Sequence, residues 1–154
     1  MRSTTTASVW SAARAAMALA ILAAVIAQLA RSVGTGAELG RDVGVTIANF
    51  FSFFTVLSNT AAAVVLVWAA VRMWTTGRRA DAEPAGLATA LACVSTCMII
   101  TGIVYNLLLR GIALPQGSEP IPWSNEILHV VGPIFLLLDV FLGPARRALP
   151  WSRV

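Results

Sequence analysis

The chain has 154 residues, 58% of them hydrophobic and 12% charged, with a formal net charge of +4. A soluble domain carries roughly a quarter of its residues as charges, so this balance argues against a water-soluble globule and for a membrane protein. All eleven basic residues are arginine, and they gather at the ends of apolar stretches rather than along one basic face, which argues against a nucleic-acid partner.

A hydrocarbon core of about 30 Å needs about 20 helical residues at about 1.5 Å each. Four stretches reach that length: residues 9–30, 45–73, 85–109 and 123–142. With no strand alternation and no internal repeat, the expectation is all-α: a polytopic transmembrane helical bundle of four spans, in one domain covering residues 1–154. The lipid bilayer is its expected surroundings.

Within the first span the apolar run Met17–Ala30 follows Arg2 and Arg14, a pattern shared with signal peptides. Gln28-Leu29-Ala30 is a poor small-residue cleavage site, so the span is expected to be retained. Gly34, Gly36 and Gly40 lie in the stretch that follows. Their spacing does not fit a phosphate-binding loop and no strand precedes them, so they read as a flexible linker.

The second span opens on Phe50, Phe51, Phe53 and Phe54 and carries Ser52, Thr55 and Asn59 within one helical sector. Thr55 should lie about ten residues inside, roughly 12–15 Å deep. In the third span Cys93 and Cys97 read as small residues packing between helices, without the partners that metal or redox chemistry needs. Ser95, Gly102 and Asn106 share a polar stripe there.

The fourth span places Asn125, His129, Gly132 and Asp139 on one face. His129 is the sole histidine, and an ionisable group inside a span is a functional candidate by default. Asp139, about 15 Å further along, is expected to pair with Arg72, Arg146 or Arg147, or to accept from a neighbouring helix. Glu126 and His129 form one half of a di-metal carboxylate motif whose second half is missing, so neither a metal nor another cofactor is expected.

Arginine placement sets the expected orientation. Arg2, Arg14, Arg72, Arg78, Arg79, Arg146, Arg147 and Arg153 flank one side, and Arg31, Arg41 and Arg110 the other. The richer side should be cytoplasmic, with both termini inside the cell membrane. Trp10, Trp74 and Trp151 then mark the inner interface and Trp123 the outer one.

Three segments carry a resemblance: residues 49–59 (NFFSFFTVLSN), residues 101–110 (TGIVYNLLLR) and residues 123–139 (WSNEILHVVGPIFLLLD). Together they resemble the androgen-induced and androgen-dependent integral membrane proteins, in a bacterial branch. Eukaryotic members are intramembrane threonine hydrolases that cleave fatty acid esters of hydroxy fatty acids, and they continue into further helices beyond the point matching Val154. The resemblance implies a catalytic pair of Thr55 and His129, with Ser52 as a competing hydroxyl, and a lipid-ester substrate.

A threonine hydroxyl is a weak nucleophile that needs a base within hydrogen-bond reach, and His129 is the one side chain here that suits that role near neutrality. Asn59, Asn106 or Asn125 could supply an oxyanion donor, and Asn125 could also fix the imidazole tautomer. The alternative is a non-enzymatic scaffold or a subunit of a membrane complex, in which these groups only hydrogen-bond across the bundle. A proton pathway along Glu126, His129 and Asp139 ranks below both, because the other spans offer no protonatable interior groups.

Overall fold

The computed structural model describes residues 4–76, 83–112 and 119–144. Helix α1 (Thr4–Glu38) continues through Gly34 and Gly36, the stretch expected to be a linker. It can do so because α2 (Val43–Ser52) folds back against it: a Cβ on Gly36 would stand 3.0 Å from Thr46 Oγ1. The turn falls later, at Gly40. There φ is +68°, Gly40 N–H donates to the Ala37 carbonyl at 3.0 Å, and Arg41 N–H donates to Gly36 at 2.8 Å. This left-handed glycine cap satisfies the last carbonyls of α1. Asp42 then caps α2 by accepting from Val45 N–H at 2.8 Å.

The stretch expected as one second span is two helices. The backbone is extended at Phe53 (φ −73°, ψ 129°), and α3 (Phe54–Thr76) starts afresh one residue later. Thr55 therefore lies in the first turn of α3 rather than ten residues along a span, and Ser52 belongs to a different helix. The remaining spans keep close to their expected bounds, as α4 (Ala85–Leu109) and α5 (Pro122–Leu142). Among the described residues, four helices (α1, α3, α4 and α5) are long and apolar enough to cross a membrane, and no strand is present. This is the architecture of a multi-pass membrane protein.

The four long helices run alternately up and down and close into a ring. Ser11 Oγ donates to the Ala70 carbonyl at 2.9 Å, Ser58 and Thr101 share a hydroxyl pair at 3.1 Å, and Ser124 Oγ donates to Ala24 at 2.9 Å. The core they enclose is built largely from small and aliphatic residues: Ala18, Ile21 and Ala24, Ala62, Ala63 and Leu66, Met98, and Leu136. Alanine lets backbones approach closely, which matters where lipid tails are as apolar as the side chains they replace. The packed face of α4 runs through Leu87, Leu91, Val94, Ser95 and Met98. Cys93 lies off that face and is exposed, so it does not pack between helices as expected.

The ring is tied at one end by buried charge. Arg14 Nε donates to Asp139 Oδ1 at 2.9 Å, and Nη2 reaches Asp139 Oδ2 at 3.2 Å and Glu83 Oε1 at 3.4 Å. Trp10 Nε1 also donates to the Asp139 carboxylate. Arg14, Asp139 and Glu83 are 1%, 0% and 4% exposed. The sequence reading set Arg14 on one flank of the bundle and gave Asp139 either to Arg72, Arg146 or Arg147 or to a donor on a neighbouring helix; the second option holds, with Arg14 and Trp10 of α1 as the donors. The ion pair forms with Arg14 because α1 and α5 are neighbours in the ring; Arg146 and Arg147 lie outside the described residues. The pair holds the start of α1, the approach to α4 and the end of α5 together.

Removing one member of a buried ion pair leaves an uncompensated charge and costs about 3–5 kcal/mol. Asp139→Ala should therefore lower the thermal unfolding midpoint of the detergent-solubilised protein markedly, measured by tryptophan fluorescence. An unchanged midpoint would contradict this view of the pair.

Candidate functional site

At the opposite end of the ring, α4 and α5 each depart from regular α geometry. Residues Tyr105–Leu109 and Ile127–Val131 form π-helical turns, and the two turns face each other. Each holds one extra residue per turn, a feature often found at functional sites. In α5 the cause can be traced to the sequence. Gly132 N–H reaches back five residues to the Ile127 carbonyl. That leaves the Leu128 carbonyl without its α-helical donor, and the next nitrogen belongs to Pro133, which carries no hydrogen. The His129 carbonyl loses its usual donor to the same proline.

Two asparagines from neighbouring helices fill these gaps. Asn59 Nδ2 donates to the Leu128 carbonyl at 3.1 Å, and Asn106 Nδ2 donates to the His129 carbonyl at 3.0 Å. Each amide also donates within its own helix, Asn59 to Thr55 at 2.9 Å and Asn106 to Gly102 at 2.8 Å. Both amide hydrogens of each residue are thereby engaged. Asn59 is fully buried, Asn106 exposed.

The imidazole itself is held from two directions. Nδ1 lies 3.0 Å from the Asn125 carbonyl. A carbonyl only accepts, so in the neutral ring Nδ1 carries the hydrogen and Nε2 keeps a free lone pair. The main chain of Asn125 thus sets the tautomer, while its side-chain amide donates to the Tyr105 hydroxyl. The Tyr105 ring stacks on the imidazole, with centroids 3.8 Å apart and planes 23° from parallel.

A charged rim borders this pair. Arg110 Nε donates to Asn106 Oδ1 at 3.0 Å and Nη2 reaches Glu126 at 2.9 Å, with the guanidinium 5.7 Å from the Tyr105 ring centre. The hydrogen bond to Glu126 pushes the Arg110 pKa up from its already high ordinary value. Both partners are nearly half exposed, so the pair orients Asn106 more than it stabilises the fold.

The residues singled out in the sequence are thus distributed unevenly. His129, Asn125, Asn106 and Asn59 belong to one hydrogen-bonded network. Thr55 joins it through its carbonyl, which accepts from Asn59 at 2.9 Å and from Ser58 at 3.1 Å. Its half-buried hydroxyl makes no hydrogen bond among the described residues. Ser52 is exposed on α2 and donates to its own helix at the Ala48 carbonyl, apart from the network. Asn59 and Asn106 have no amide hydrogen left for an oxyanion, contrary to one of the roles considered for them. Among the described residues no group of three or more His, Cys, Asp and Glu side chains is placed to hold a metal.

Sequence reasoning missed Tyr105 and Arg110. The signal for Tyr105 was its place beside Asn106, at the same end of the bundle as His129. The signal for the brace was Pro133, four residues after His129 and so certain to leave its carbonyl open.

Close approach of α4 and α5 depends on Gly102. A Cβ there would stand 2.8 Å from Pro133 Cβ and 3.3 Å from the His129 carbonyl. The proline ring cannot swing aside, so Gly102→Val should cost about 1–3 kcal/mol and weaken the Tyr105–His129 stack. The check is the unfolding midpoint together with the ring-current shift of the His129 protons; a variant matching the parent in both would contradict the packing described. Comparison with known proteins finds no matching family model, no matching curated protein and no matching solved structure.

Proposed function

We propose that this membrane protein is an intramembrane lipid-ester hydrolase in which Thr55 is the nucleophile and His129 the base. The observation that carries the reading is the clamped imidazole. Its Nδ1–H is tied to the Asn125 carbonyl at 3.0 Å and its face is covered by Tyr105, so a fixed ring offers an unprotonated Nε2. A general base needs an unprotonated nitrogen that is free to accept a proton. The resemblance to the androgen-induced and androgen-dependent proteins supplies the nucleophile.

In this mechanism Nε2 takes the Thr55 proton as Oγ1 attacks the ester carbonyl. The tetrahedral intermediate collapses, and the imidazolium returns the proton to the departing alkoxide, releasing an alcohol. Water, deprotonated by the same Nε2, then cleaves the acyl-threonine to a fatty acid and restores Thr55. Asn59 and Asn106 are engaged, and Val56 and Leu57 N–H both donate to the Phe53 carbonyl, at 3.0 and 3.1 Å, so the main-chain oxyanion donors at the start of α3 are the Phe54 and Thr55 N–H groups. Phe51, Phe53 and Phe54, exposed around that helix start, give an acyl chain an apolar approach. The arginine bias places the Arg14–Asp139 end of the bundle in the cytoplasm, and the His129 end then faces the outer leaflet.

One observation favours the alternative of a scaffold or complex subunit: the amide hydrogens of Asn59 and Asn106 and the Arg110–Glu126 pair are already engaged within the protein. Proteoliposomes separate the two readings. The parent should hydrolyse a fluorogenic fatty acid ester and become labelled at Thr55 by a fluorophosphonate. His129→Ala should slow turnover by about 100- to 10,000-fold, and Thr55→Ala should abolish both turnover and labelling, with membrane abundance unchanged in each. Hydrolysis surviving in Thr55→Ala would remove the mechanism.

A further inference from the structure

The hydrogen bonds around Pro133 assign a specific task to two residues that never touch the reacting atoms. We infer that Asn59 and Asn106 are positioning residues: their amides replace the donors missing beneath the Leu128 and His129 carbonyls, and so keep the π turn that fixes where the imidazole points. Its consequence for turnover rests on the hydrolase reading above; the positioning itself does not.

Geometry gives the reason. One extra residue in a helix amounts to a rotation of about 100°. If the Ile127–Val131 turn relaxed to α-helical pitch, the segment Pro122–Glu126 would rotate by that amount relative to Gly132–Leu142. Asn125 would leave Tyr105, and Glu126 would leave Arg110. Gly132 and Pro133 are held on the other side by packing: a Cβ on Gly132 would stand 3.0 Å from Met98 Cε, and Gly102 abuts Pro133. The lower half of α5 is therefore fixed, and the orientation of its upper half depends on the π turn. In hydrocarbon no water can satisfy an open carbonyl, so protein donors must. Asn59 on α3 serves the first carbonyl and Asn106 on α4 the second, which couples the imidazole to both neighbouring helices.

Pro133 makes the inference testable, because alanine at that position keeps Cβ and restores the missing N–H. Asn106→Leu should leave the His129 carbonyl open and disturb the ring; the double variant Asn106→Leu/Pro133→Ala should satisfy that carbonyl from within α5. With a single histidine in the chain, nitrogen-15 labelled histidine reports the tautomer and ring environment of His129 alone. The parent in nanodiscs should show one Nδ1–H tautomer; Asn106→Leu should show shifted or mixed tautomer signals, and the double variant should return towards the parent.

In the ester assay Asn106→Leu should lower kcat by about 10- to 100-fold with little change in KM, again with partial recovery in the double variant. If Asn106→Leu is too unstable to study, the double variant alone decides: a parental histidine spectrum supports the inference. An unchanged spectrum in folded Asn106→Leu, or a double variant as disturbed as the single one, overturns it. A parent that shows the expected tautomer response but no hydrolysis would remove the hydrolase reading and leave the positioning role standing.

Discussion

The His129 end of this bundle is organised by two main-chain carbonyls that its own helix cannot satisfy. Within a membrane each open polar group costs several kcal/mol, because water is absent. Pro133 removes the donor for one carbonyl and combines with the π turn to remove it for the other. The amides of Asn59 and Asn106 then have a defined task, and each of these residues brings its helix with it. The placement of the sole imidazole follows from this arrangement of donors.

The two ends of the bundle solve the problem of buried polarity differently. Around Arg14 and Asp139, full charges are paired with short, bidentate geometry and nearly complete exclusion from solvent. Around His129 the groups are neutral asparagines, a phenol and carbonyls, with the charged pair Arg110–Glu126 kept on the exposed rim. Fixed charges resist rearrangement and suit an anchor. Neutral hydrogen bonds cost less to break and to remake. Between the two ends lies an alanine-rich core that lets the helices pack closely.

Much of the fold was legible because span length is a strong signal. The bounds of α4 and α5 fall within one residue of those expected. Two features were less legible. The break at Phe53 is a local choice of extended backbone with no proline or glycine to announce it, so the aromatic entry read as part of one long span. The continuation of α1 through Gly34 and Gly36 depends on the partner helix α2, which a single-helix pattern does not reveal. The pairing of Arg14 with Asp139 requires knowing that the first and last helices are neighbours. For the site, helical periodicity correctly grouped Asn125 with His129, and Thr55 with Asn59. The direction of the asparagine amides, towards backbone rather than substrate, emerges only once Pro133 and the π turn are seen together.

The most direct test reads the His129 carbonyl itself. Histidine labelled with carbon-13 at its carbonyl places the isotope at that one position, and its infrared band falls as hydrogen bonding strengthens. The account predicts a hydrogen-bonded frequency in the parent and a clear rise in Asn106→Leu. A parental band already at the free-carbonyl position, unmoved by the substitution, would contradict it.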